Sequence, residues 1–267
     1  MVDVLTWGWH ALPGLLVGAV LGFCGGLFGI GGGIIAIPML VWFYGMDQQM
    51  AQGTALVMMV PNLLVGWWRY SRVYPVPWQR ALAIGVLACA TTWLVAHWAM
   101  GLPSRQLRAL FALFLMVLAW RLLVRWWRAS RADAKADAAA GSTETPRVGS
   151  RYIPLVGVVG GSSMGLLGIG GGLVATPLLT GWFGQRQTVA QSLSLALVAP
   201  SSIIALGSYA QAHQVNWSMG LPLAISGMFT VSSGVALAHR LPERQLRGAF
   251  AWMLLATGAW LLLSMLL

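Results

Sequence analysis

The sequence predicts an all-α polytopic membrane protein: two homologous helical repeats, each opening on a glycine-broken helix, with eight to ten passes in total. Three observations predict it. The 267 residues are 58% hydrophobic and only 8% charged, with a mean hydropathy of +0.75, whereas soluble domains carry about 25% charged residues. Apolar segments long enough to span about 30 Å of hydrocarbon recur from one end to the other, leaving too little polar sequence for a soluble domain. The chain also repeats itself at one constant offset.

Taken in order, Met1 to His10 carries Asp3 and His10 but no Lys or Arg. Without a charged n-region, the start reads as retained rather than as a cleaved signal peptide. The first apolar segment, about 12–45, contains "GLFGIGGGIIAIPML" from Gly26 to Leu40. Each glycine costs roughly 1 kcal/mol relative to alanine in a helix interior, and a straight helix over 12–45 would be about 50 Å long, well beyond the hydrocarbon core. A break at the glycines is expected. Ordinary spans follow at about 50–69, 78–98 and 105–127.

The stretch from Arg128 to Arg151 is polar, rich in Ala, Asp, Ser and Thr, and free of aromatics, as in a solvated linker. Beyond it the first pattern returns. "GLLGIGGGLVATPLL", Gly165 to Leu179, repeats Gly26 to Leu40 with every position shifted by 139 (165 − 26). The same shift aligns "AQGTALVMMVP" (Ala51 to Pro61) with "AQSLSLALVAP" (Ala190 to Pro200), Tyr70 with Tyr209, and Trp78 with Trp217. It also pairs "LPSRQLRALFA", Leu102 to Ala112, with "LPERQLRGAFA", Leu241 to Ala251. The second-half segments fall at about 153–184, 189–208, 218–238 and 245–266. The chain thus divides into a first transmembrane repeat (1–128), a polar cytoplasmic linker (129–150) and a second repeat (151–267), an internal duplication that many transporter folds share.

Charge placement bears on topology. Arg121, Arg125, Arg128, Arg131, Lys135, Arg147 and Arg151 make the linker cytoplasmic by the positive-inside rule. The loop around Arg69, Arg72 and Arg80 lies two spans earlier, hence on the same side. Its second-half counterpart near His213 lacks Lys and Arg, while the later turn carries Arg240, Arg244 and Arg247. If each glycine-interrupted segment is one crossing, the halves are parallel and that basic turn lies outside. If it is a helical hairpin with its tip at the glycines, the second half is inverted and the turn lies inside. Charge bias favours inversion, whereas the shortness of Ile34 to Tyr44, about 16 Å of helix, opposes it.

Non-helical backbone in lipid is tolerated only where protein or a water-filled cavity surrounds it, so Gly29 to Gly33 and Gly168 to Gly172 should face the interior. Paired breaks in two halves point to a transporter's binding site, and N–H groups at the positive ends of the following helices suit an anion. The competing reading is close helix packing, which Gly18, Gly22 and Gly26 with Gly157, Gly161 and Gly165 fit at spacing four. The "AQ" helices add Gln52, Thr54 and Asn62, matched to Gln191, Leu193 and Ser201, with Ser192, Ser194 and Ser202 in the second copy. These neutral groups could hold an oxyanion or could satisfy carbonyls freed by Pro61 and Pro200. In "LPxRQLR", Pro103 and Pro242 suit a helix's first turn. Arg105/Arg108 and Arg244/Arg247 each share a face, suited to headgroup contact or topology, or to drawing anions into a vestibule.

Several classes are disfavoured. The six acids, Asp3, Asp47, Asp133, Asp137, Glu144 and Glu243, fall at predicted ends, loops or the linker, which argues against a cation carrier and against carboxylate-based proton coupling. The net charge of +10 resides in residues flanking spans, with no basic domain for nucleic acid. Cys24 and Cys89 lack metal or disulfide spacing, and His10, His97, His213 and His239 lack a ligand pattern, so neither metal nor cofactor is expected. The fifteen tryptophans, among them Trp7, Trp9, Trp67, Trp68, Trp78, Trp126, Trp127 and Trp217, concentrate near span ends as interfacial belts. No nucleophile–base constellation suggests an enzyme; a non-transporting scaffold is the other alternative.

The twin "GxxGIGGGxxxxPxL" segments, each followed by an "AQ" helix, resemble the TauE/SafE sulfite exporter family over both halves. The resemblance implies a multi-pass transporter of sulfite, organosulfonates or related small anions in the bacterial cytoplasmic membrane, with membrane lipids and the anion as its partners. It places Gly29, Gly31, Gly32 and Gly33 with Gly168, Gly170, Gly171 and Gly172 near the translocation path, and Gln52 and Gln191 close by.

Overall fold

Glycine and proline decide where the helices of this chain stop, turn and bend. The computed structural model describes residues 14–25, 27, 32–73, 78–132, 154–181, 183–184, 187–238 and 243–266. Gly29, Gly31, most of the linker and the first residues, with Asp3, Trp7, Trp9 and His10, lie outside that set. The described residues form α1 (Gly14–Gly25), α2 (Gly33–Tyr44), α3 (Gln48–Val73), α4 (Trp78–Met100), α5 (Ser104–Ala132), α6 (Leu155–Leu167), α7 (Gly172–Gly181), α8 (Gln187–Gln211), α9 (Trp217–Ala238) and α10 (Glu243–Leu266). No strand occurs among them. Four segments are long and apolar enough to cross a bilayer unaided: Gln48–Trp68, Ala81–Met100, Ser104–Val124 and Val189–Gln211.

Helices end at both glycine motifs, as expected, and at the second, described motif the chain reverses. Helix α6 ends on Gly168, whose left-handed φ of 66° lets its N–H close on the Met164 carbonyl. Gly170, at φ 79°, completes the turn. Helix α7 then runs against α8, since Gly170 lies by Val198 while Thr176 hydrogen-bonds Ser194 at 2.9 Å. Helix α6 runs with α8, from Gly160 beside Leu197 to the Gly165 carbonyl under the Tyr209 hydroxyl. The two arms therefore point in opposite directions. In the first half, Gly32 at φ 86° precedes α2, which starts beside Met58 and Met59 of α3 and ends three residues before α3 begins. With 12 and 10 residues, α2 and α7 are about 18 and 15 Å long, roughly half the hydrocarbon thickness.

Helices α1 and α6 also pack along a helix of the opposite half. Helix α6 lies along α4, where a Cβ on Gly157, Gly161 or Gly165 would strike the backbone of Ile84, Ala88 or Thr92 respectively. Helix α1 lies along α9, with Gly18 against Leu223 and Gly22 against Gly227. Shifting Ile84 and Ala88 by 139 gives Leu223 and Gly227, so the two seams match residue for residue. Threonines cross each seam: Thr92 donates to the Gly161 carbonyl at 2.9 Å and Thr230 to the Ala19 carbonyl at 2.8 Å. These glycines follow the small-residue packing reading.

Helices α3 and α8 form the central pair and run antiparallel, with Gln52 against Tyr209 at one end and Gly66 against Leu195 at the other. Helices α5 and α10 pair likewise, with Gly258 on Met116 and, farther along, Arg108 near the start of α5 sharing a cavity with Ser264 near the end of α10. The largest buried cluster joins Leu21, Ile34, Ile37, Leu40, Met58, Phe111 and Leu254 from five helices. Outward-facing Trp42, Trp93, Trp120 and Phe229 remain exposed, as lipid-facing residues do.

Candidate functional site

Three glycines of the second motif each have their own reason to be glycine. Gly168 and Gly170 hold left-handed backbone, and Gly171 touches the Gly160 carbonyl so closely that no Cβ fits. Gly172 needs neither, because a Cβ there would meet Val198 at 3.6 Å and Ser194 at 4.0 Å, ordinary contacts. It opens α7 and is half-buried although it lies against mid-span residues.

The two breaks converge on one side chain. Met59 is fully buried near the middle of the Gln48–Trp68 span. A Cβ on Gly33, first residue of α2, would overlap the Met59 sulfur, and the Cβ position of Gly170 lies 3.6 Å from the Met59 methyl. The N-terminal ends of α2 and α7 thus approach one point at mid-depth from opposite halves. Helix starts carry unpaired N–H groups and partial positive charge, so the electrostatic character of this point favours an anion.

The polar residues expected nearby divide. Gln52, fully buried, accepts from the Tyr209 hydroxyl at 2.7 Å and donates to the Leu166 carbonyl at 3.5 Å. It packs on Gly168, at 3.2 Å from that residue's Cβ position, so the first-half glutamine serves the second-half break. Thr54 accepts from the Asn216 N–H at 3.0 Å and holds the turn before α9, where Asn216 caps the helix through Met219 and His213 takes φ 57°. Ser201 donates to the Leu197 carbonyl at 2.7 Å and Ser202 to that of Ala199 at 2.7 Å, which serves the backbone beside Pro200. Ser194 bonds Thr176 across α7 and α8. Gln191 and Ser192 are engaged in contacts of their own. Asn62, half-buried, follows Pro61 at the middle of α3.

Two residues were not singled out for the site from the sequence. Met59 carries no chemistry that marks it. Tyr209 did leave a signal, its alignment with Tyr70, but its partner lies in the other half. Arg108 lies apart from Met59, lining a cavity of about 110 Å³ with Pro38, Trp42, Trp260 and Ser264. Among the described residues no group of His, Cys, Asp or Glu is placed to hold a metal.

This is a multi-pass, all-helical membrane protein with paired broken helices, the class in which carriers place a site at the midplane. The chain belongs to the sulfite exporter TauE/SafE family, whose profile matches residues 14–261, and so to a family of membrane transporters. A protein of Methanocaldococcus jannaschii named "Probable membrane transporter protein" is 25% identical over 270 residues, covering 93% of this chain and 94% of the relative. One of the same name from Xylella fastidiosa is 26% identical over 227 residues, 84% and 83% of the two chains. A third, from Bacillus subtilis, is 24% identical over 246 residues, 86% and 89%. No solved structure gives a significant match.

Proposed function

We propose that this protein is a secondary transporter of a small anion, sulfite or a related sulfonate or organic anion, across the bacterial cytoplasmic membrane. The observation that carries the reading is the meeting of two helix N-termini, at Gly33 and at Gly170–Gly172, around Met59. The family's name supplies the sulfur oxyanion. A site built from backbone N–H groups and neutral amides fits a monovalent oxyanion, because it attracts charge without burying a compensating cation.

The second half is inverted in this reading, consistent with the antiparallel α3–α8 and α5–α10 pairs. Following the chain through three full crossings per half puts every Lys and Arg except Arg105 and Arg108 on one face, which becomes the cytoplasmic side. Alternating access then does not swing one sequence half against the other, because α1 and α6 are packed into the opposite halves. The moving unit is instead an arm with its partner: α1 with α9, or α6 with α4.

The test is uptake of labelled sulfite, thiosulfate, sulfoacetate and short carboxylates into sealed proteoliposomes. Gly172→Ala sharpens it, since alanine fits that position without strain or overlap. We expect this variant to keep its unfolding temperature while flux falls at least tenfold. Unchanged flux would place the path elsewhere, and no anion flux from folded wild-type protein would sink the carrier reading.

A further inference from the structure

Among the described residues, buried side-chain polar atoms without a hydrogen-bond partner occur at the Arg108 Nε and at Gln48, and Gln48 alone leaves both a donor and an acceptor unpaired. Gln49 donates to the Leu102 carbonyl at 2.8 Å and accepts from Ser104, and Gln52 is held by Tyr209 and Leu166. Gln48, first residue of α3, has 0% of its surface exposed, and neither its Nε2 nor its Oε1 has a partner. Leaving a buried donor or acceptor unpaired is costly. This amide has one of each kind left over, in the first turn of α3, where backbone N–H groups are also free of intrahelical partners. It stands four residues before Gln52, on the same face of the helix. The 139 shift places Gln187 at the equivalent start of α8, four residues before Gln191. A fully buried amide left unpaired at the head of a central helix points to use rather than accident.

We infer that Gln48 contacts the transported anion at one mouth of the path, and that this anion itself carries a hydrogen-bond donor. The inference rests on the transport reading above. The chemistry follows from the amide. Its NH₂ donates to an oxyanion oxygen, but its carbonyl oxygen faces that ligand too and is satisfied only by an O–H or N–H on it. A ligand with acceptors alone leaves Oε1 unpaired and dehydrated. Hydroxylated or otherwise donor-bearing sulfonates fit; plain alkyl sulfonates do not.

Isethionate and ethanesulfonate, sulfonates of equal charge and chain length that differ by one hydroxyl, make the comparison. Binding is read as the rise in unfolding temperature of purified full-length protein titrated with each. We expect isethionate to bind wild type at least tenfold more tightly than ethanesulfonate. Gln48→Leu should unfold at the same or a higher temperature than wild type without ligand, and should lose the preference. Gln48→Asn, which keeps the amide on a shorter stem, should retain part of it. Equal binding of the two sulfonates, no binding of isethionate to wild type, or a lower unfolding temperature for Gln48→Leu without ligand would each overturn the assignment. Binding needs no flux, so this result is separate from the proteoliposome result: sulfite flux with no sulfonate preference sinks only the role of Gln48.

Discussion

Tyr209 reaches from the end of α8 into the other half and puts its hydroxyl on Gln52. Removing that hydroxyl leaves a fully buried amide oxygen without its donor. Tyr209→Phe should therefore destabilise the protein by about 1–3 kcal/mol, read as a lower unfolding temperature in detergent. Tyr209→Phe with Gln52→Leu should recover part of the loss, because both partners then become apolar. The sequence made Gln52 legible as a polar residue early in an apolar helix, but not its partner, which lies 157 residues away. Met59 was illegible for the opposite reason, since a thioether in a membrane helix reads as ordinary packing. Thr54 and Ser201 show that a hydroxyl's presence in a sequence does not say whether it serves a ligand or the backbone.

At the level of helices, the glycines separate into those that make turns and those that make seams. Gly161→Ala would drive a methyl into the Ala88 carbonyl and Thr91, and overpacking of this kind costs about 1–3 kcal/mol. Gly207, with nothing within 4 Å of its Cβ position, predicts the reverse, a gain of up to about 1 kcal/mol on Gly207→Ala from helix propensity. Thermal unfolding of both variants checks the contrast. That helices end at the two glycine motifs was readable, because glycine is costly in a helix interior. That the chain doubles back was not, since it depends on the φ values of Gly168 and Gly170 and on the room that Gly160 leaves for Gly171.

For the molecule as a whole, the proposed inverted arrangement predicts that reporters fused within 129–150 and after Leu267 lie on opposite sides of the membrane; finding both on one side would return the halves to a parallel arrangement. The duplication was plain in the sequence, but the exchange of arms was not, because α1 and α6 are equally apolar toward any neighbour. That exchange has a consequence for how the protein is made. Gly22 emerges early and its seat at Gly227 more than two hundred residues later, about 10–40 s apart at ordinary rates of synthesis. Throughout that interval the first arm sits in the bilayer with its glycine face uncovered. Completion of this seam then waits for α9, and α1 docks onto a helix made long after it. A first half expressed alone should be degraded, and co-expression of 151–267 should rescue it.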